Sequence, residues 1–212
     1  PPKAPPDLLR LSPQFIVPSP DELGDLEEET RDDFNYVVDR LKTDFTLQQL
    51  DFKIGFERSL EIRKTVAASD LRALVEKHQL DETTLPDTAR AVLALEQILT
   101  PSQKKAALDQ QREIRGKLAA MLDSSSFILT PTLPTRPPGW TSVNIGPEPL
   151  PSRRLNRFLA LANVCALPAL SMPLEDTRSK FPFSLQIIGA RGFDYEILRC
   201  SELIRDSVWA SR

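Results

Sequence analysis

The sequence predicts an α/β fold in which helices alternate with short buried strands. Three observations carry this. Apolar runs too short for helices recur at Phe15-Ile16-Val17, Phe127-Ile128-Leu129, Ala169 to Met172 and Phe183 to Ile188. Longer stretches between them place apolar residues at helical spacing. Two of those stretches open on a helix-start signal, Ser19-Pro20-Asp21-Glu22 and Thr100-Pro101-Ser102-Gln103. In each the hydroxyl residue can cap, proline suits the first helical position, and Glu or Gln three residues on completes a capping box.

Taken in order, residues 1–18 are a proline-rich segment ending in the first strand, and 19–212 form the rest of the domain. From Ser19 a helix is expected to carry Leu23, Leu26, Phe34, Val37, Val38 and Leu41 inward. The acids Asp25, Glu27, Glu28 and Glu29 lie near its start, where the helix dipole tolerates them, and read as a solvated face. Phe45 to Leu50 alternates as a strand does. A helix over 55–79 is expected to bury Phe56, Leu60, Ala67, Leu71, Leu74 and Val75. A shorter helix over 86–98 follows, then one from Thr100 to about Leu122 with Ala107, Ile114, Leu118, Met121 and Leu122 inside. Phe127 to Leu129 is a buried strand leading into a proline-rich loop, 131–151. A helix over 152–166, buried strands at 169–172 and 183–188, and a closing helix from Asp194 to Trp209 complete the chain.

With 212 residues and 41% apolar composition the chain can bury a real core. Net charge is −3 with the signs well mixed, so no nucleic-acid surface is expected. No apolar run is long enough to span a bilayer, and the first residues lack a signal-peptide core. Cys165 and Cys200 make no disulfide framework and read as buried thiols. A reducing, cytoplasmic location is the simplest expectation.

Several chemistries are excluded. His78, the only histidine, sits between Lys77 and Gln79 on a charged helical stretch, which reads as surface and not as the base of a Ser-His-Asp triad. One histidine and two distant cysteines make a zinc site untenable. No glycine-rich phosphate cradle is present, and no cofactor is expected. Ser124-Ser125-Ser126 has no Lys or His placed beside it, so it reads as a turn before a strand and not as a nucleophile.

Three motifs remain: Leu129-Thr130-Pro131-Thr132-Leu133-Pro134, Asn163 through Pro168 followed by Pro173, and Pro182 to Gln186 followed by Gly189 and Asp194-Tyr195-Glu196. In this order they resemble the carboxy-terminal half of the amidase-signature hydrolases. A weaker likeness extends upstream through 85–115 and 14–50. The resemblance implies a mixed β-sheet flanked by helices, and hydrolysis of carbon–nitrogen amide bonds by a serine nucleophile. It also implies where the chemistry lies. The family's lysine base, cis-peptide serine and nucleophilic serine belong to a Gly/Ser-rich amino-terminal half, and no such run stands here. No catalytic residue is therefore carried over.

What the resemblance leaves for this chain is the wall of the substrate channel. On it, Thr130, Pro131, Thr132, Asn156 and Asn163 are the candidate substrate-binding residues. Asn156 stands where amidotransferase members hold a substrate amino group with a carboxylate. Arg153, Arg154 and Arg157 are candidates for a substrate carboxylate, against the plainer reading of exposed helix-start arginines. Asn163 and Gln186 are expected to satisfy backbone groups at strand ends. Two family glycines are replaced, by Ala166 and Ser184. The implied partners are a second polypeptide or segment carrying the catalytic half, and a small amide substrate. Three readings stay open: one part of an active amidase, a catalytically silent amidase-like binding module, or an unrelated α/β domain. The third fails if the strands at 127–129, 169–172 and 183–188 share one sheet.

Overall fold

A computed structural model describes residues 12–50, 55–136, 155–174 and 183–209. Among the described residues five strands form one sheet: β1 (Gln14–Pro18), β2 (Thr46–Leu50), β3 (Ser126–Pro131), β4 (Ala169–Leu174) and β5 (Phe183–Ile188), in the order β2-β1-β3-β5-β4. β1 runs parallel to both β2 and β3, while β5 is antiparallel to β3 and to β4. The sheet is therefore mixed, and the three strands at 127–129, 169–172 and 183–188 do share it. Seven α-helices are described: α1 (Pro20–Leu23), α2 (Glu28–Leu41), α3 (Phe56–His78), α4 (Asp87–Ile98), α5 (Pro101–Met121), α6 (Leu159–Cys165) and α7 (Asp194–Trp209).

Paired residues on neighbouring strands point to the same face. Phe15, Phe127, Leu129, Ile187 and Leu185 thus line one face. α2 and α7 cover it, and Phe34 of α2 meets Phe183 with ring centroids 6.5 Å apart. The helices α3 to α6 form a second group, with α3 packed on α4, α5 and α6. Phe56 of α3 meets Phe158, just before α6, edge to face at 4.9 Å. One continuous buried cluster joins the sheet to both groups. Arg72 of α3 pairs with Glu82 at 2.5 Å and with Glu96 of α4 at 3.4 Å, and Glu96 also takes Lys104 of α5. The Lys104 hydrogen bond is the main reason the Glu96 carboxyl is held below its usual range.

The Thr100 capping box is present in full: its hydroxyl accepts from the Gln103 N–H, and the Gln103 side chain accepts from the Thr100 N–H. At the other start signal the Ser19 hydroxyl accepts from the Glu22 N–H at 3.3 Å. The helix expected there is in fact two, because Gly24 closes α1 at φ +55°. A Cβ at Gly24 would stand 3.0 Å from Arg157 Nη2, so the break also makes room for a side chain 133 residues away in the sequence.

Four other expectations are corrected. On α3, Ala67 and Leu74 are exposed, and Ser59, Ile62 and Ala68 are buried instead. The stripe shifts because α3 packs against three helices, not one. β4 is not a buried strand: Ala169, Ser171 and Pro173 are exposed, since β4 lies at the sheet's rim. The helix expected over 152–166 is the shorter α6, preceded by a turn at 156–158, with 152–154 outside the described residues. Arg157 is not an exposed helix-start arginine but 7% exposed.

Gly189 follows β5 where α7 crosses it. A Cβ there would lie 2.8 Å from Ile197 Cγ1 and 3.4 Å from Phe127 Cδ1. Overpacking of this kind costs about 1–3 kcal/mol. Gly189→Ala is expected to lose that much stability in urea unfolding, with an unchanged slope.

Candidate functional site

Thr130, Gln186 and Ser171 stand opposite one another on β3, β5 and β4, so they form one polar row across three strands. The Thr130 hydroxyl donates to Gln186 Oε1 at 3.0 Å, and both residues are buried. A buried hydroxyl or amide must be paired, and each here answers the other. Gln186 thus serves a side chain, where the sequence suggested backbone. Thr132, just past the end of β3, gives its N–H to the Ser184 carbonyl at 2.8 Å. Its hydroxyl meets the Ser171 hydroxyl at 2.8 Å, in solvent. The row therefore runs from a sealed end at Thr130 to an open end at Thr132 and Ser171.

Pro131 is buried at the end of β3. The chain beyond it is tied to α2: the Glu27 N–H donates to the Pro134 carbonyl at 2.9 Å, and the Arg136 N–H donates to Glu27 Oε2 at 2.6 Å. Glu29 also pairs with the Arg136 guanidinium. The rest of the proline-rich loop, from 137, lies outside the described residues, as do Arg153 and Arg154.

Asn156 is half-buried in the turn before α6, where its carbonyl accepts the Ala160 N–H at 3.1 Å. Next to it Arg157 lies over the Phe158 ring, 4.9 Å from its centroid. Asn163 is exposed on α6. Its carbonyl accepts the N–H of Ala166, which caps the helix in the left-handed region at φ +52°. Leu167 N–H closes the same cap onto the Ala162 carbonyl at 3.0 Å. The structure thus brings Thr130, Pro131 and Thr132 together at one sheet end and puts Asn156 and Asn163 on the α6 segment leading into β4.

Sequence reasoning missed two residues that hold this turn. Gln111 Nε2 and Arg115 Nε of α5 donate to the same Val164 carbonyl, at 3.0 Å and 2.9 Å. They bring a donor pair and a positive charge to the carbonyl end of α6. Gln111 was legible as a polar residue in register with Ala107, Ile114 and Leu118 on the buried stripe of α5. Neighbouring Cys165 is buried, and its thiol is pushed up to about 11 by that burial, with Arg115 pulling back. Cys200 is raised further, again by burial. Neither is a nucleophile at neutral pH.

The serine turn is organised by Asp123. Its Oδ1 accepts from the Ser125 N–H at 2.8 Å, the Ser125 hydroxyl at 3.0 Å and the Ser126 hydroxyl at 2.8 Å. The Ser125 N–H, above all, holds the Asp123 carboxyl below its usual range. A carboxylate so stabilised is a poor base, so these hydroxyls are turn donors. Among the described residues no group of three or more His, Cys, Asp or Glu is placed to hold a metal. No described helix is long and apolar enough to cross a membrane. A depression of about 370 Å³ on α2, lined by Asp32, Tyr36, Asp39 and Arg40 among others, includes none of the predicted site residues. The polar row can present hydroxyls to a ligand; it holds no group that attacks a carbonyl.

Comparison with known proteins bears on this. The family model described as Amidase matches residues 41–198. A fatty acid amide hydrolase of Medicago truncatula is 31% identical over 123 residues, which is 54% of this chain and 19% of that protein. A glutamyl-tRNA(Gln) amidotransferase subunit of Thermotoga maritima is 32% identical over 100 residues, 46% of this chain and 20% of that protein. A crystal structure of an amidase superposes with a TM-score of 0.69 at 20% identity, covering 92% of this chain and 45% of its own. The chain thus matches about a fifth of its curated relatives and just under half of that solved structure.

Two measurements check the local physics. Thr130→Val removes the donor to buried Gln186 and is expected to cost about 1–3 kcal/mol. Adding Gln186→Leu removes the stranded acceptor, so the double variant should recover much of that loss in a double-mutant cycle. Ala166→Gly relieves a left-handed alanine and should raise stability by about 0.5–1 kcal/mol. A shift of the urea midpoint to higher concentration reports it.

Proposed function

This chain belongs to the amidase family, and from that premise we propose that it is the carboxy-terminal part of an amidase-signature amidohydrolase. It supplies the wall of the substrate cleft to a serine nucleophile carried by a Gly/Ser-rich amino-terminal half. The observation that carries this reading is the polar row at the end of β3. The stretch that resembles the family's Pro-Thr-x-Pro segment, Leu129 to Pro134 here, leaves the sheet after Pro131 and opens to solvent at Thr132 and Ser171. The wall comprises Thr130, Pro131, Thr132, Asn156 and Asn163. Thr130 and Pro131 hold it from behind, and Thr132 offers a hydroxyl and Asn163 an amide to the solvent side. The substrate is a small amide, and neither nucleic acid nor a membrane span enters the reading. The groups the other half must bring are a lysine base, a serine relay and a nucleophilic serine, with backbone donors for the oxyanion.

Ala166 supports the reading. The family's glycine is gone, yet the chain keeps the backbone that glycine would adopt. The turn between α6 and β4 thus has the left-handed cap that a glycine at this position would favour.

The test is turnover. This chain, assembled with a half carrying Lys and both Ser, should release amine from a small aryl or alkyl amide. Replacing the nucleophilic serine should lower the rate on the order of 10⁶-fold. An assembled pair with intact Lys and Ser that shows no turnover sinks this reading and leaves a silent amidase-like binding module.

A further inference from the structure

α6 is seven residues long. A helix that short does not hold itself in water, so its place is set by what it packs on. It carries Asn163, and the turn before it carries Asn156, two of the residues proposed for the cleft wall. Its end passes through Ala166, Leu167 and Pro168 into β4 and Ser171. A device that fixes the end of α6 therefore fixes part of the wall.

The last carbonyls of a helix have no partner within it. Here the turn itself answers two of them. Leu167 N–H closes on the Ala162 carbonyl at 3.0 Å, and Ala166 N–H on the Asn163 carbonyl at 3.3 Å. The Val164 carbonyl is answered from another helix, by Gln111 Nε2 at 3.0 Å and Arg115 Nε at 2.9 Å. These two residues stand one helical turn apart on α5 and so reach the same point. Gln111 is buried and Arg115 is exposed. α5 is itself well held: the Thr100 capping box locks its start, and Ile114 and Leu118 are buried along it. A single donor satisfies a carbonyl. Two donors from successive turns of one packed helix fix its direction as well as its distance.

We propose that Gln111 and Arg115 are positioning residues for amide turnover. Through the Val164 carbonyl they set the angle of α6 and its entry into β4, and so the place of Asn163 and Ser171 against the substrate. This rests on the reading given under the proposed function. Neither side chain touches substrate; both act through the wall. A displaced wall binds ground state and transition state less well alike, which raises KM and leaves kcat nearly unchanged. A role in stability alone has the opposite signature. It lowers the folded fraction, so apparent kcat falls while KM stays where it was.

Kinetics of the full chain, assembled with a half carrying Lys and both Ser, separates the two. Gln111→Met removes the buried donor, Arg115→Met removes the exposed one, and Arg115→Lys restores a cationic donor. Ile114→Val trims the same buried stripe of α5, leaves both donors to Val164 in place and is the control. With p-nitroacetanilide as substrate, Gln111→Met is expected to raise KM about five- to tenfold with kcat within about twofold. Arg115→Met should raise KM about threefold, and Arg115→Lys should recover most of that. In the Gln111→Met background Asn163→Ala should raise KM by less than it does alone, because its amide has already lost its place. Unchanged KM in both Met variants while the urea midpoint falls overturns the proposal. So does an equal rise in KM in Ile114→Val. Should Gln111→Met fail to fold, Arg115→Met, at an exposed site, carries the same test. An unaltered assembly that turns over no small amide sinks the functional reading. Hydrogen exchange then decides the positioning claim separately: Gln111→Met should speed exchange over residues 162–172 at least about tenfold relative to Ile114→Val. Equal exchange in the two variants overturns it.

Discussion

The constraint on which the rest depends is that β3 is buried along its whole length, between β1 and β5. A strand with no exposed residue must be almost wholly apolar, and Phe127, Ile128 and Leu129 meet that demand. Thr130 does not, so its hydroxyl needs a partner that is itself buried. Gln186 provides it from β5, and the pair fixes the register of the antiparallel half of the sheet. A slip by one residue would place the Gln186 amide on the apolar face and leave Thr130 unanswered. The polar row is thus first a device for registering strands, and its solvent end at Thr132 and Ser171 follows from that registration.

How much of this was legible in the sequence depends on the range of the interaction. Strand and helix positions followed from local signals such as the Thr100 capping box, the Phe127–Leu129 run and the spacing in α5. The misplacements all have long-range causes. Gly24 ends the first helix at φ +55°, and the space a side chain there would need is taken by Arg157, far along the chain. Ala67 and Leu74 surface on α3 because three helices compete for its circumference. An apolar run such as Ala169 to Met172 looks the same at the rim of a sheet as at its centre, since exposure depends on what lies beyond the strand. The motif residues at 129–134 were legible as a unit; their division into a sealed and an open end was not, because it arises from pairing with β5 and β4.

The turn between α6 and β4 shows how a left-handed alanine is held in place. Ala166 in the left-handed region costs on the order of 1 kcal/mol. Two α5 side chains, Gln111 and Arg115, converge on the Val164 carbonyl, which would otherwise be an orphan acceptor at the helix end. Their bonds cost little entropy on the Gln111 side, which is buried on a packed helix, and Arg115 adds charge where the α6 dipole is negative. Gains of this size offset the strain of one alanine. The left-handed Ala166 is accommodated because the turn is held from α5, against the residue's own dihedral preference.

The same clamp bears on function through geometry. α6 ends at Cys165 and β4 begins at Ala169, so three residues connect the pinned carbonyl region to the rim strand. Gly189 N–H, at the end of β5, then donates to the Pro168 carbonyl at 3.1 Å and sets the start of β4. Ser171 is two residues further on, held opposite Gln186 by the strand ladder and bonded to Thr132. From Pro168 to Ser171 the path is held by a backbone hydrogen bond and by strand register. The solvent end of the row is therefore fixed before any ligand or second body arrives, and binding there would not have to order it. That is the arrangement the cleft wall proposed above requires.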